Sequence, residues 1–156
     1  MKIEILFKNQ TIDNKIKRLF NKALKVAVSE LNLSNKDFEL SVLLVDNEYM
    51  KKLNKKYRNH NTSTNVLSFP QGSCHQTNGS KGINLMGDIV ISLDKIRQES
   101  NKNSRDFYDH LLHIFLHGFL HLNGYTHDYD DDAKIMESEE IKILSLLKVM
   151  NPYPVV

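Results

Sequence analysis

Polar and apolar residues alternate from Lys2 to Lys8, with Ile3, Ile5 and Phe7 on one side, and this period of two predicts an opening strand. The period then becomes helical. From Thr11, the expected N-cap, Ile12, Ile16, Leu19, Phe20, Ala23, Leu24, Ala27 and Leu31 share a face, while Lys15, Lys17, Arg18, Lys22 and Lys25 form a solvated one. Phe38 to Val45 alternates and then runs apolar through Val42-Leu43-Leu44-Val45, as a strand covered on both faces does. Asp46 caps a second helix with Met50, Leu53 and Tyr57 inward and Lys51, Lys52, Lys55, Lys56 and Arg58 outward. The order strand, helix, strand, helix predicts an α/β domain with at least one parallel pair.

Beyond the polar turn Asn59 to Asn65, Val66 to Phe69 reads as a short strand ended by Pro70. Gln71 to Asn84 is glycine-rich and aperiodic, and a loop of that length in a compact domain is functional or disordered. Gly87 to Leu93 resumes β-character as a fourth strand, and Asp94 to Lys102 predicts a short helix. Ser104 is the expected cap of the next helix, whose nearly continuous apolar coat places it at the centre of the fold. That helix breaks at Gly124. Asp128, Asp130, Asp131 and Asp132 then precede a last helix with Ile135, Met136, Ile141, Leu144 and Leu147 inward, and acids there favour the helix N-terminal dipole more readily than they bind metal. The tail Asn151-Pro152-Tyr153-Pro154 cannot continue a helix.

A length of 156 residues suits one domain, expected to span 1–156, and is short for two. No apolar run approaches the roughly 18 residues of a membrane span, and the N-terminus lacks a signal-peptide layout, so a cytoplasmic location is the default expectation. The lone Cys74 has no internal partner for a disulfide, which fits a reducing compartment. A net charge of +2 argues against nucleic-acid binding over the whole surface. Its distribution is uneven: residues 1–70 carry 13 Lys/Arg against 7 Asp/Glu, and the remainder 8 against 12. A basic first half is compatible with a polyanion partner, although solvated helix faces produce the same pattern.

The candidate chemistry lies in the central helix. Five of the seven histidines fall between His110 and His127, and His110, His113, His117 and His121 lie within one stripe of roughly 80°. His117, His121 and His127 have the spacing H-x-x-x-H-x-x-G-x-x-H, in which the first two imidazoles are one helical turn apart and Gly124 lets the chain bring back the third. Several neutral imidazoles without partners would be costly to bury, so a metal site is expected. Three imidazoles suit zinc, and three protein ligands with a position open is the catalytic pattern.

Metzincin proteases share this spacing, but their general-base glutamate follows the first histidine, and here that residue is Gly118. Peptide hydrolysis therefore lacks its proton carrier. Zinc deaminases are excluded because their metal site is cysteine-rich. A phosphodiester can instead be activated by a cation and a forked arginine, for which Arg58 is the leading candidate.

The stretch His117 to His127 resembles the HGxLHLxGYDH signature of the YbeY family of bacterial rRNA-maturation proteins. Leu53-Asn54 with Tyr57-Arg58, the run Thr64 to Pro70, Gly87-Asp88-Ile89 with Ile91-Ser92, and Met136 extend the resemblance over nearly the whole chain. It implies a four-stranded mixed sheet surrounded by five or six helices. It also implies a single-strand-specific, zinc-dependent endoribonuclease that matures the 3′ end of small-subunit rRNA and acts in ribosome quality control. Under it His117, His121 and His127 hold one zinc and Arg58 acts in the cleft; on the basic face of the same helix as Arg58, Lys51 and Lys55 are the expected RNA contacts. His113 becomes a neighbour of the ligands rather than a fourth ligand. Ribosomal proteins and an assembly GTPase are the partners it implies.

Two positions depart from the family pattern. Asn65 and Thr126 stand where the family usually has Asp, so any ligand-orienting carboxylate there is missing, a loss of roughly 10–100-fold if the family uses it. The competing expectation is a zinc-stabilised assembly factor that binds rRNA without cutting it.

Overall fold

In the computed structural model the described residues are 2–34, 37–70 and 84–153. The expected long loop therefore lies outside them from residue 71 to 83, Cys74 included, as does Pro154. The elements follow as β1 (Lys2–Phe7), α1 (Asn14–Glu30), β2 (Phe38–Val45), α2 (Asn47–Arg58), β3 (Val66–Pro70), β4 (Asn84–Ser92), α3 (Leu93–Lys102), α4 (Phe107–Leu122) and α5 (Asp130–Leu146). The sheet order is β1-β2-β4-β3, with β1, β2 and β4 parallel and β3 antiparallel to β4 at the edge. This is the expected four-stranded mixed sheet with five helices.

Alternation along the strands divides the interior into two layers. Leu40, Val42, Leu44, Ile89 and Ile91 face α1, α4 and α5, and Phe20 of α1 stacks on Phe115 of α4 with ring centroids 4.3 Å apart. Val45, Leu67 and Val90 point the other way, onto Met50 of α2. The central helix thus lies in the larger layer, and the basic helix covers the opposite face. Gly87 is obligatory at the β3/β4 pairing, because it has φ +144 and a Cβ there would meet the Phe69 carbonyl at 2.5 Å. It also follows a register shift against Glu39 and Leu40, and the pairing with β2 continues before that shift to Asn84, where β4 begins, not at the expected Gly87.

Several boundaries differ from expectation. Asp13, not Thr11, caps α1, accepting from the Lys15 and Ile16 amides, and Ile12 is exposed. Asp106, not Ser104, caps α4. Ser104 belongs to the end of α3: its φ of +52 places it in the left-handed region, and the following Arg105 amide donates to the Ser100 carbonyl. Tyr57 is exposed, where it meets Phe69 edge-on instead of packing inward. In α5 the buried positions are Met136, Glu140, Ile143 and Leu144, while Ile135 is exposed and Ile141 and Leu147 are only partly covered.

Candidate metal centre

The last turn of α4 and the bend after it assemble the cluster. Asn123 ends the helix, Gly124 follows at φ +92, and the amides of Gly124 and Tyr125 donate to the carbonyls of His121 and Leu120. This is the paired closure that glycine permits at a helix C-terminus. It reverses the chain so that His127 returns beside His117 and His121, with ring centroids 5.4 and 4.8 Å away respectively. One nitrogen from each of the three imidazoles lies within 4.8 Å of the others. His117 and His121 are half-buried and His127 is exposed, so the cluster opens to solvent on the side of its third member.

The hydrogen bonds show which nitrogens are available. His121 Nδ1 lies 3.0 Å from the Tyr125 carbonyl, which can only accept, so Nδ1 carries the proton. His117 Nδ1 lies 3.0 Å from Glu140 Oε2 and donates to it in the same way. The Nε2 lone pairs of both rings are then aimed at each other across 3.0 Å. Two unshared lone pairs at that distance repel, and a cation between them is the arrangement that removes the repulsion. Two Zn–N bonds of about 2.0–2.1 Å at a tetrahedral angle would separate their nitrogens by about 3.3 Å, so the donor set fits such an ion. Burial and then the neighbouring His117 push the His121 imidazole below its ordinary pKa, which keeps it neutral and able to ligate.

Glu140 was not among the candidates from sequence. Its side chain is fully buried, and it accepts from His113 Nε2 and the Tyr153 hydroxyl, both at 2.6 Å on Oε1, as well as from His117. Burial by itself would raise this carboxyl, but the hydrogen bonds from His113, His117 and Tyr153 outweigh it and hold the group at about 2. A carboxyl whose folded pKa is depressed contributes stability in full above its ordinary value near 4.5 and loses it as pH falls through the folded value. Metal-free protein should therefore lose about 3 kcal/mol on acidification below about pH 4.5. Urea midpoints followed from neutral pH downward should show this loss, and Glu140→Gln should flatten it.

His113, one turn before His117, touches Glu140 rather than the three-nitrogen cluster. Asn65 donates from Nδ2 to Glu99, at 3.2 Å to Oε1, and Glu99 in turn accepts from His110 Nε2 at 2.8 Å. An aspartate at 65 would put a second carboxylate against Glu99, and the amide removes that repulsion. Thr126 is exposed in the bend, lining a shallow cavity with Asn123, Tyr125, Asp132 and Ile135.

Arg58 ends α2 and donates from a guanidinium nitrogen to the Ser68 carbonyl at 2.9 Å, with its plane 5.1 Å from the Phe69 ring centre. The Ser68 hydroxyl donates in turn to the Gly118 carbonyl, next to His117. Arg58 is therefore held at the open edge of β3 and linked through Ser68 to the helix that carries the cluster. Lys51 and Lys55 stand exposed one turn apart on the same helix.

An α/β domain whose central helix and following bend present three converging imidazoles has a site that can hold a metal ion. The family described as Endoribonuclease YbeY matches residues 2–148 of this chain. The chain belongs to that family. It is similar to proteins named Endoribonuclease YbeY from Colwellia psychrerythraea, with 40% identity over 88% of this chain and 86% of the other. The corresponding protein of Neorickettsia sennetsu is 39% identical over 95% of this chain and 99% of its own. A Thermotoga maritima protein solved in solution shares the fold, with a TM-score of 0.63 and 24% identity over 92% of this chain and 87% of that one.

Proposed function

We propose that this protein is a single-strand-specific, zinc-dependent endoribonuclease that matures the 3′ end of small-subunit rRNA and takes part in ribosome quality control. The observation that carries the reading is the pair of Nε2 atoms of His117 and His121 facing each other at 3.0 Å, with His127 beside them, in a chain of the YbeY family. His117, His121 and His127 would hold the ion. Bound there, zinc supplies Lewis acidity toward a phosphoryl oxygen. Among the described residues the cluster has three members, and a structural zinc would need a fourth.

The chain's own groups then divide the work. Glu140 and the Tyr125 carbonyl orient His117 and His121, and Arg58 presents a forked cation to the non-bridging oxygens where charge grows during phosphodiester cleavage. Lys51 and Lys55, exposed on the helix that Arg58 ends, offer positive charge to the RNA backbone, and such phosphate contacts weaken with salt. Gly118, buried against the sheet, leaves no carboxylate to serve peptide hydrolysis. Among the described residues no helix is long and apolar enough to cross a membrane. The cytoplasm, with ribosomal proteins and an assembly GTPase as partners, completes the proposal.

Arg58→Ala tests it. Cleavage of single-stranded RNA should fall on the order of 100-fold or more, the cost of removing one charge-stabilising donor, with zinc content unchanged. Cells carrying only this variant should accumulate small-subunit rRNA with unprocessed 3′ ends. Wild-type cleavage by the variant would contradict the role given to Arg58.

A further inference from the structure

We infer that Tyr153 and Arg105 are positioning residues of the metal centre, acting through His113 and Glu140 to hold His117 in its ligating orientation. The inference rests on the proposal that the three histidines bind a metal ion.

The segment after α5 is built to return to α4. Lys148, at φ +61, ends the helix, and the Val149 amide donates to the Leu144 carbonyl while the Val149 side chain is buried. Asn151 Oδ1 then accepts from the Tyr153 amide at 2.8 Å, closing a side-chain turn around Pro152. This delivers the Tyr153 ring edge-on to His113, with centroids 5.4 Å apart, and its hydroxyl to Glu140. The exposed Met150 takes no part in the anchoring.

Arg105 approaches from the opposite end. The turn that closes α3 carries it to α4, where its guanidinium donates to His110 Nδ1 at 3.0 Å and reaches His113 Nδ1 at 3.5 Å. Arginine has donors only, so both Nδ1 atoms accept and both Nε2 atoms carry the proton. His113 can then donate to Glu140 but cannot accept. With His113 and Tyr153 both donating to Oε1, Oε2 is left to His117 Nδ1. A continuous hydrogen-bond path, with Glu140 as its shared acceptor, thus links Arg105 and Tyr153 to the ring whose Nε2 faces the metal position. A partner bonded directly to a ligand, as Glu140 is to His117, changes metal affinity by roughly 10–100-fold when removed, and Tyr153 and Arg105 fix that partner's position.

Tyr153→Phe keeps the ring against His113 and deletes only the hydroxyl, and Arg105→Met keeps the stem and deletes the donors. Each full-length variant, its fold checked by far-ultraviolet circular dichroism, is titrated with Zn²⁺ against a chromophoric chelator and examined with Co²⁺ by visible absorption. The expected result is affinity lowered on the order of tenfold or more in both, with an altered Co²⁺ ligand-field band. Wild-type affinity and band in either folded variant would overturn the inference while leaving the metal reading intact. If one variant fails to fold, the other decides. A wild-type chain that binds neither ion would overturn both.

Discussion

His121→Ala should abolish stoichiometric metal binding and lower cleavage of single-stranded RNA by at least about 100-fold, more than the loss of a ligand's hydrogen-bond partner costs. The histidine sits at the centre of the cluster: its Nε2 is 3.0 Å from that of His117, and its ring lies 4.8 Å from that of His127. The remaining imidazoles would be left one at the helix and one beyond the bend, with no shared turn to hold them together. Folding should survive, because the helix end is closed by backbone hydrogen bonds from Gly124 and Tyr125 rather than by this side chain. Metal per chain by elemental analysis and cleavage rate should fall together. A variant that keeps its metal but loses cleavage would move His121 out of the ligand set.

Gly118→Glu should fail as a conversion to a peptidase and should damage the fold. The position restores the glutamate of the metzincin pattern in sequence, yet a Cβ at 118 would meet Ile89 Cγ2 at 3.1 Å, the Ser68 hydroxyl at 3.2 Å and Val66 Cγ2 at 3.4 Å. At the glycine α4 packs directly on β3 and β4, so a carboxylate there would be driven among β-strand side chains. Overpacking and an unpaired buried charge together should cost about 3 kcal/mol or more. Urea denaturation should show a large fall in midpoint and peptide substrates should remain uncut. Wild-type stability with new peptidase activity would contradict the packing account of Gly118.

That residue shows how differently the two halves of the site were legible. The ligand spacing from His117 to His127 is local: one helical turn and one glycine bend bring the nitrogens together, so residue intervals alone predict the convergence. Gly118 could be read from sequence as the absence of a base, but its role against Ile89 and Ser68 depends on which side of α4 meets the sheet. Glu140 is 23 residues from His117 and Tyr153 is 40 from His113, and only the packing of α5 and its trailing segment on α4 makes them neighbours. A faint signal existed. Glu140 lies on the same helical stripe as Met136, Ile143 and Leu144, and a charge on a buried stripe calls for a partner.

The fold divides in the same way. Strand alternation and the helical stripes predicted four strands and a buried α4, while the choice between Ser104 and Asp106 as cap was beyond local reading. Both are good capping residues, and the decision came from the left-handed turn that ends α3 at Ser104. That same turn aims Arg105 at His110 and His113, a contact that a helix starting at Ser104 does not suggest.

The most direct test of metal-centred RNA cleavage is the rate at which purified protein cuts an end-labelled single-stranded RNA as made, after stripping with a chelator, and after reloading with zinc. Cleavage should vanish on stripping, return as zinc approaches one ion per chain, and stay absent in His121→Ala under all three conditions. Cutting that persists in the stripped protein and in His121→Ala would contradict the account.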